Sequence, residues 1–235
     1  MEQENEKRQG LVIAVDGPAG AGKSTVARRV AAALNYLYID TGAMYRAIAL
    51  AVLEEGVGPD DGAAVERLAR GLDVELVPSA AGNRVLLEGR DVTERIRAPE
   101  VSAAVSQVAA LPGVRRRMVQ LQRRLAAGGG VVMDGRDIGT VVFPDADVKV
   151  FLTASAEERA RRRWLELRAA GHAPSLDDIR ANIESRDRLD STRDVAPLRK
   201  AEDAVEIDTT DKTVDEVVDQ VLELVRKELD SCSTE

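Results

Sequence analysis

LVIAVDGPAGAGKS, residues Leu11 to Ser24, is the stretch whose reading decides the architecture. An apolar run from Leu11 to Val15 ends at Asp16 and Gly17, and a segment rich in Ala, Arg and Val follows from Lys23 to Leu34. That order reads as strand, loop and helix. Within it, Gly17 to Ser24 satisfies G-x-x-x-x-G-K-[ST]. Glycines there let the backbone wrap around phosphate oxygens, so that successive N–H groups and the start of the helix face the anion. The segment Gly17, Pro18, Ala19, Gly20, Ala21, Gly22, Lys23, Ser24 and Thr25 is therefore expected to hold a nucleoside triphosphate. Lys23 reaches the β- and γ-phosphates in this reading, and Ser24 offers its hydroxyl to the Mg²⁺ ion that bridges them. A glycine-rich turn that only caps a helix is the alternative; the further Gly and Pro positions and the strand-loop-helix context tell against it. The loop says nothing about the acceptor.

Outward from the loop, Tyr36 to Asp40 (YLYID) reads as a second strand, leading into a helix from about Ala43 to Glu55. The βαβα order predicts a parallel sheet. Asp73 to Pro78 and Asn83 to Gly89 flank the small-residue turn SAAG and predict an antiparallel hairpin outside that sheet, in an insertion spanning roughly Gly58 to Ile96. Helices are expected at about Pro99 to Ala110 and Val114 to Ala127. Val131 to Gly135, Val148 to Leu152 and Ala204 to Asp208 read as buried strands, and Val214 to Leu229 as a closing amphipathic helix. The fold class is thus α/β, a five-stranded parallel sheet flanked by helices, with an inserted subdomain and a short lid.

With 235 residues the chain suits one domain with an insertion. Only 3% of residues are aromatic, so a 44% hydrophobic content must build its core from aliphatic side chains, as a buried parallel sheet does. The balance of 33 basic against 41 acidic residues tells against a chain that coats nucleic acid or an anionic membrane. One cysteine, Cys232, can form no internal disulfide, and the polar residues after it make a poor prenylation box. No apolar run is long enough to span a bilayer and MEQENEKRQG lacks the core of a signal peptide, so a cytoplasmic location is the expectation.

The main rival from another class is a regulatory GTPase switch. Such proteins carry D-x-x-G and N-K-x-D strings, and neither occurs here. The chain offers arginines instead, at Arg46, Arg115, Arg136, Arg159, Arg161, Arg162, Arg163, Arg186, Arg188 and Arg193. A planar guanidinium grips phosphate oxygens, and several together hold two phosphorylated substrates despite their repulsion. A solvated helix face accounts for at least two of the four between Arg159 and Arg163. Arg136, just past a central strand, lies where open α/β sheets bind ligands. The lone His172 reads as an incidental residue in a loop between helices. No histidine base is needed, because a phosphomonoester acceptor with a second pKa of about 6 is already an anion at neutral pH.

Five segments in order, IAVDGPAGAGKST (Ile13 to Thr25), IDTGAMYRA (Ile39 to Ala47), VSQVAALPGVR (Val105 to Arg115), DGRDIGTVVFPDA (Asp134 to Ala146) and RDRLDSTRDVAPL (Arg186 to Leu198), give the chain a resemblance to bacterial cytidylate kinases. It covers nearly everything after the first ten residues. The resemblance implies ATP-dependent phosphorylation of CMP and dCMP, with ATP and Mg²⁺ as donor and metal. It places Thr41, Tyr45, Arg46, Arg136 and Arg193 at the acceptor phosphate, Ser106, Arg115 and Asp137 on cytosine, and Arg186 and Asp190 on the sugar. Lys23, Arg136, Arg162 and Arg193 would serve the transfer itself, with Arg162 and Arg163 as lid arginines on the triphosphate. Cytosine chemistry agrees: a carboxylate accepts from N4 while an arginine and a hydroxyl donate to N3 and O2. A helix cap or a salt bridge to Arg136 is the competing reading for Asp137, and a surface hydroxyl for Ser106. Asp16 and Asp134 either orient waters on Mg²⁺ or cap strand ends. Residues 1–10 are expected as a disordered tail and 11–235 as a single domain, with an acceptor-binding region over about 40–115 and a lid over about 155–172. The expected partners are small-molecule substrates only, with the chain acting as a monomer.

Overall fold

A computed structural model of the chain describes residues 10–79, 82–169 and 171–232, and the side chain of Cys232 is not among what it describes. The expected tail up to residue 9, the middle of the SAAG turn, Ala170 in the expected lid and the three residues after Cys232 lie outside the described residues.

Strand β1 (Val12–Asp16) is buried along its whole length, because it lies at the centre of a parallel sheet covered on both faces. It pairs with β6 (Val131–Gly135) on one side, Val12 opposite Val131, and with β7 (Val148–Thr153) on the other, Ile13 opposite Val148. Strands β2 (Leu37–Asp40) and β8 (Val205–Asp208) complete the order β2-β6-β1-β7-β8, all parallel. The five expected strands therefore form one sheet. Alternation along β1 sends Val12 and Ala14 into one apolar cluster and Ile13 and Val15 into another. The second cluster is closed by helices α1 (Lys23–Leu34) and α8 (Val214–Cys232), which contribute Val26, Val30, Val217, Val221 and Val225.

The first cluster is closed by α2 (Thr41–Glu54), α4 (Pro99–Ala110) and α5 (Pro112–Leu125). Helix α2 is apolar on nearly every side, since the sheet flanks it on one face and the insertion and α4 on others. The insertion consists of α3 (Gly62–Gly71) and an antiparallel sheet of β3 (Val74–Ser79), β4 (Gly82–Leu87) and the short β5 (Arg90–Asp91). Its Val65, Val74, Val85, Leu87 and Ile96 join the same cluster as α2, so it shares the main core. Helix α3 has no counterpart in the sequence pattern, where Gly62 and Gly71 bracket a segment with few large apolar residues.

Helices α6 (Ala156–Ala169) and α7 (Leu176–Thr192) form an arm beside the sheet. Ala160, Ile179 and Ile183 make its small core, with Trp164 and Leu167 against it and the Arg168 guanidinium 4.7 Å above the Trp164 ring. His172 lies in the connection between these helices. Among the described residues, no helix is long and apolar enough to cross a membrane.

Candidate functional site

The carboxyl ends of the strands open on a cleft of about 1690 Å³. Its floor is the phosphate loop. Gly17 has φ of +146°, and a Cβ there would lie 2.0 Å from the Leu152 carbonyl oxygen, so only glycine lets the loop leave β1 so close to β7. Gly22, also at positive φ, caps α1 and turns the chain into it. Lys23 is 5% exposed and donates from Nζ to Pro18 O at 2.7 Å, so the lysine arches back over its own loop. Burial lowers its pKa well below the usual lysine value, and the nearby positive charges of Arg136 and Arg186 lower it further.

Two strand-end carboxylates behave differently. Both oxygens of Asp16 accept backbone N–H groups, from Ile138 and Gly139 at 2.8 Å each, fastening the π-helical turn Ile138–Val142 to β1. Its pKa is pushed up to about 6 by burial, against those hydrogen bonds. Of its two readings, capping is the one this geometry serves. Asp134 instead accepts from Ser24 Oγ at 2.9 Å and from Tyr38 Oη at 2.8 Å, beside the loop's hydroxyl. Burial, then the charge of Asp40, pushes it up to about 7 from an ordinary 3.8.

The Asp134 shift carries a sign. Between 3.8 and about 7 the folded protein holds a proton that the unfolded chain has released, so the group's stabilising contribution is full below 3.8 and is lost as pH rises through about 7. Asparagine would keep the shape, accept from Tyr38 and donate to Ser24. Asp134→Asn is therefore expected to raise the ligand-free Tm at pH 8 by about 2–6 °C and by less than half as much at pH 5. Thermal unfolding at both values checks this, and an equal change at the two would remove the charge from the account.

Cations crowd the middle of the cleft. Arg46, Arg136, Arg186 and Lys23 all line it. Arg136 donates from Nε to Asp190 at 3.0 Å, and Arg186 stands 3.9 Å from the same carboxylate. Neither Arg46 nor Lys23 has a carboxylate at salt-bridge distance among the described residues. Burial and then the neighbouring Arg136 and Arg46 lower Arg186 to about 9; burial also lowers Arg46, with Arg136 and Arg163 adding to the effect against Asp40. Thr41 donates to Asp134 O at 2.7 Å, fixing the start of α2 against β6.

Deeper on the same side, Asp137 forms a buried ion pair with Arg115 through Oδ2, and Arg193 approaches Oδ1 at 3.5 Å. The suggested pairing of Asp137 with Arg136 is not made. Arg136 turns to Asp190 instead, and Asp137 caps nothing with its side chain. Arg115 lies over the Tyr45 ring at 5.4 Å, and burial pushes the Tyr45 hydroxyl up to about 12. Arg193 is held by its own loop, Nε donating to Ala196 O at 2.6 Å, which places it with this pair. Ser106, half-buried on α4, lines the same end. Tyr45 Oη, Arg115 Nε, Arg186 Nε and Arg193 Nη2 are all buried without a hydrogen-bond partner among the described residues.

The four arginines between Arg159 and Arg163 on α6 divide evenly. Arg161 and Arg163 pair outward with Glu158 and Glu166. Arg162 donates to Thr209 Oγ1 and O and to Glu158, beside Gly22 of the loop. Arg159 is buried and joins three elements, donating to Ala19 O of the loop, Ala154 O and Asp187 of α7. The sequence reading gave Arg159 no site role; its i,i+3 spacing to Arg162 was the available signal. Tyr38 and Thr209 were also missed, and nothing in their local pattern distinguishes them. Gly17 and Pro18 form the loop without lining the cleft, while Ala19 to Thr25 line it.

The cytidylate kinase family matches residues 13–227 of the chain. A cytidylate kinase of Geobacillus kaustophilus is 56% identical over 93% of this chain and 98% of its own, and one of Symbiobacterium thermophilum is 56% identical over 92% and 96%. A cytidylate kinase of Limosilactobacillus reuteri is 52% identical over 94% and 98%. Among solved structures, a shikimate kinase from Acinetobacter baumannii in complex with shikimate is similar at 16% identity and a TM-score of 0.48, covering 94% of this chain and 95% of that one.

Proposed function

The chain belongs to the cytidylate kinase family and phosphorylates CMP and dCMP with ATP as donor, and we propose that the cleft divides that work between a donor floor and an acceptor wall. The observation that carries the division is a set of four buried donor atoms on residues lining the cleft, Tyr45 Oη, Arg115 Nε, Arg186 Nε and Arg193 Nη2, that make no hydrogen bond among the described residues, although the last two stand 3.9 Å and 3.5 Å from carboxylates of Asp190 and Asp137. Buried donors of this kind are costly unless an anion or a polar ligand meets them.

In this reading the loop N–H groups and Lys23 hold the β- and γ-phosphates, leaving the Pro18 carbonyl as they do so. Arg162 stands over the loop on the donor side. Thr41, Tyr45, Arg46, Arg136 and Arg193 bind the acceptor phosphate, and Arg186 and Asp190 the sugar. Two anionic substrates repel each other, and the cations between them remove that barrier to alignment. The acceptor oxygen is already an anion, so no side chain need take its proton. Asp137 accepts from the N4 amino group of cytosine, with Arg115 and Ser106 as donors.

Ser24 Oγ and Asp134, 2.9 Å apart, are oxygen donors of the kind Mg²⁺ takes alongside phosphates and water, and would hold it there. Bound, the ion would neutralise phosphate charge.

ADP release with CMP, dCMP, UMP, AMP, GMP or no acceptor tests the proposal. CMP and dCMP are expected to lead, with kcat/KM for UMP lower by about 10²-fold, since O4 of uracil would turn an acceptor toward the Asp137 carboxylate. Equal turnover of CMP and UMP would sink the role given to Asp137.

A further inference from the structure

The sheet order leaves β2 at an edge, with backbone groups on its outer side open to pairing. Tyr38 O and Asp40 N–H point to the same side, because residues two apart in a strand do. One side chain of the insertion meets both. Asn83 donates from Nδ2 to Tyr38 O at 3.0 Å, and its Oδ1 accepts from Asp40 N–H at 3.3 Å. A carboxamide carries the donor and acceptor of a peptide unit, so Asn83 does for this edge what one residue of a further strand would do.

What it fastens matters. Asp40 caps α2 by accepting from Ala43 N–H at 2.9 Å, and Thr41 beside it donates to Asp134 O. The first two turns of α2 carry Thr41, Tyr45 and Arg46. Gly82, next to Asn83, sits against Arg28 of α1, so the hairpin end bears on the sheet edge and the first helix together.

We propose that Asn83 is a positioning residue for the acceptor: its carboxamide closes the open edge of β2 and fixes the entry into α2, through which the insertion sets affinity for CMP and not for ATP. The inference rests on the assignment of Thr41, Tyr45 and Arg46 to the acceptor. Losing both hydrogen bonds leaves the core unaltered but lets the junction of β2 and α2 drift.

Asn83→Ala, Asn83→Asp and Arg46→Ala test this by steady-state kinetics, hydrogen exchange over residues 36–45 and thermal unfolding. Asn83→Ala is expected to raise KM for CMP about fivefold, with kcat and KM for ATP within about twofold and Tm within about 2 °C. The Asp40 amide should exchange faster. Asn83→Asp should raise KM for CMP further, because it loses the donor to Tyr38 O and sets a like charge beside Asp40. If KM for CMP is unchanged in Asn83→Ala while Arg46→Ala raises it, the proposal is overturned and the acceptor assignment stands. If Arg46→Ala leaves KM for CMP unchanged too, the assignment itself falls and the proposal with it. A parallel rise of both KM values, or a large fall in Tm, would mean a merely structural role and overturn it equally.

Discussion

Asp137→Asn is expected to lower kcat/KM for CMP about 10³-fold while KM for ATP stays within about twofold. Asp137 and Arg115 are both nearly inaccessible, and Arg193 stands 3.5 Å from the second carboxylate oxygen. Removing one partner of a buried pair leaves the other charge uncompensated, at a cost of about 3–5 kcal/mol. Here two guanidinium groups lose the same partner. The substitution also changes what the pocket asks of a base: the amide NH₂ meets the N4 amino group of cytosine donor to donor, yet can donate to O4 of uracil. The CMP-to-UMP ratio of kcat/KM should therefore fall more steeply than stability alone explains. Kinetics with both acceptors, run well below the variant's Tm, measure it. A ratio unchanged from the parent would separate Asp137 from base recognition and leave it a structural counter-ion.

For Lys23→Met the expected loss is about 10³-fold in kcat, the scale seen when a donor aimed at developing charge is removed from a dry site. Methionine matches the stem of a side chain that is 5% exposed and packed within the loop, so the fold should survive. The lost Nζ takes with it the bond to Pro18 O, and with it a cation close to Arg136 and Arg186. Relief of that repulsion should offset the lost hydrogen bond, so the ligand-free Tm is expected within about 3 °C of the parent. Single-turnover phosphoryl transfer at saturating ATP, with unfolding curves beside it, distinguishes the two effects. A fall in kcat of less than tenfold would take Lys23 out of the transfer step.

The sheet was legible because its central strands are short aliphatic runs buried on both faces; Val12 to Asp16 and Val131 to Gly135 could be little else. The loop was legible because its geometry demands particular residues, as Gly17 against the Leu152 carbonyl makes plain. What the pattern could not supply were side chains whose meaning comes from distant neighbours. Arg159 looks like any helix-surface arginine until the fold brings Ala19 and Asp187 to it. Tyr38 looks like a strand residue until Asp134, far along the chain, arrives on the adjacent strand. The competing reading of Asp137, a pair with Arg136, fails for the same reason. Arg136 is its neighbour in sequence, but adjacent residues leave a chain in different directions, and Arg115 comes to Asp137 from α5.

Trp164, packed on the small core of the α6–α7 arm beneath Arg168, is the sole tryptophan among the 235 residues. The intrinsic indole emission of this enzyme thus has a single origin, in the arm whose second helix also carries Arg186 and Asp190. A spectral shift on adding a nucleotide is a report from the arm, which contributes Arg186 and Asp190 to the cleft. The protein carries its own fluorophore on one of its two flanks, and an observer of the other must supply a label.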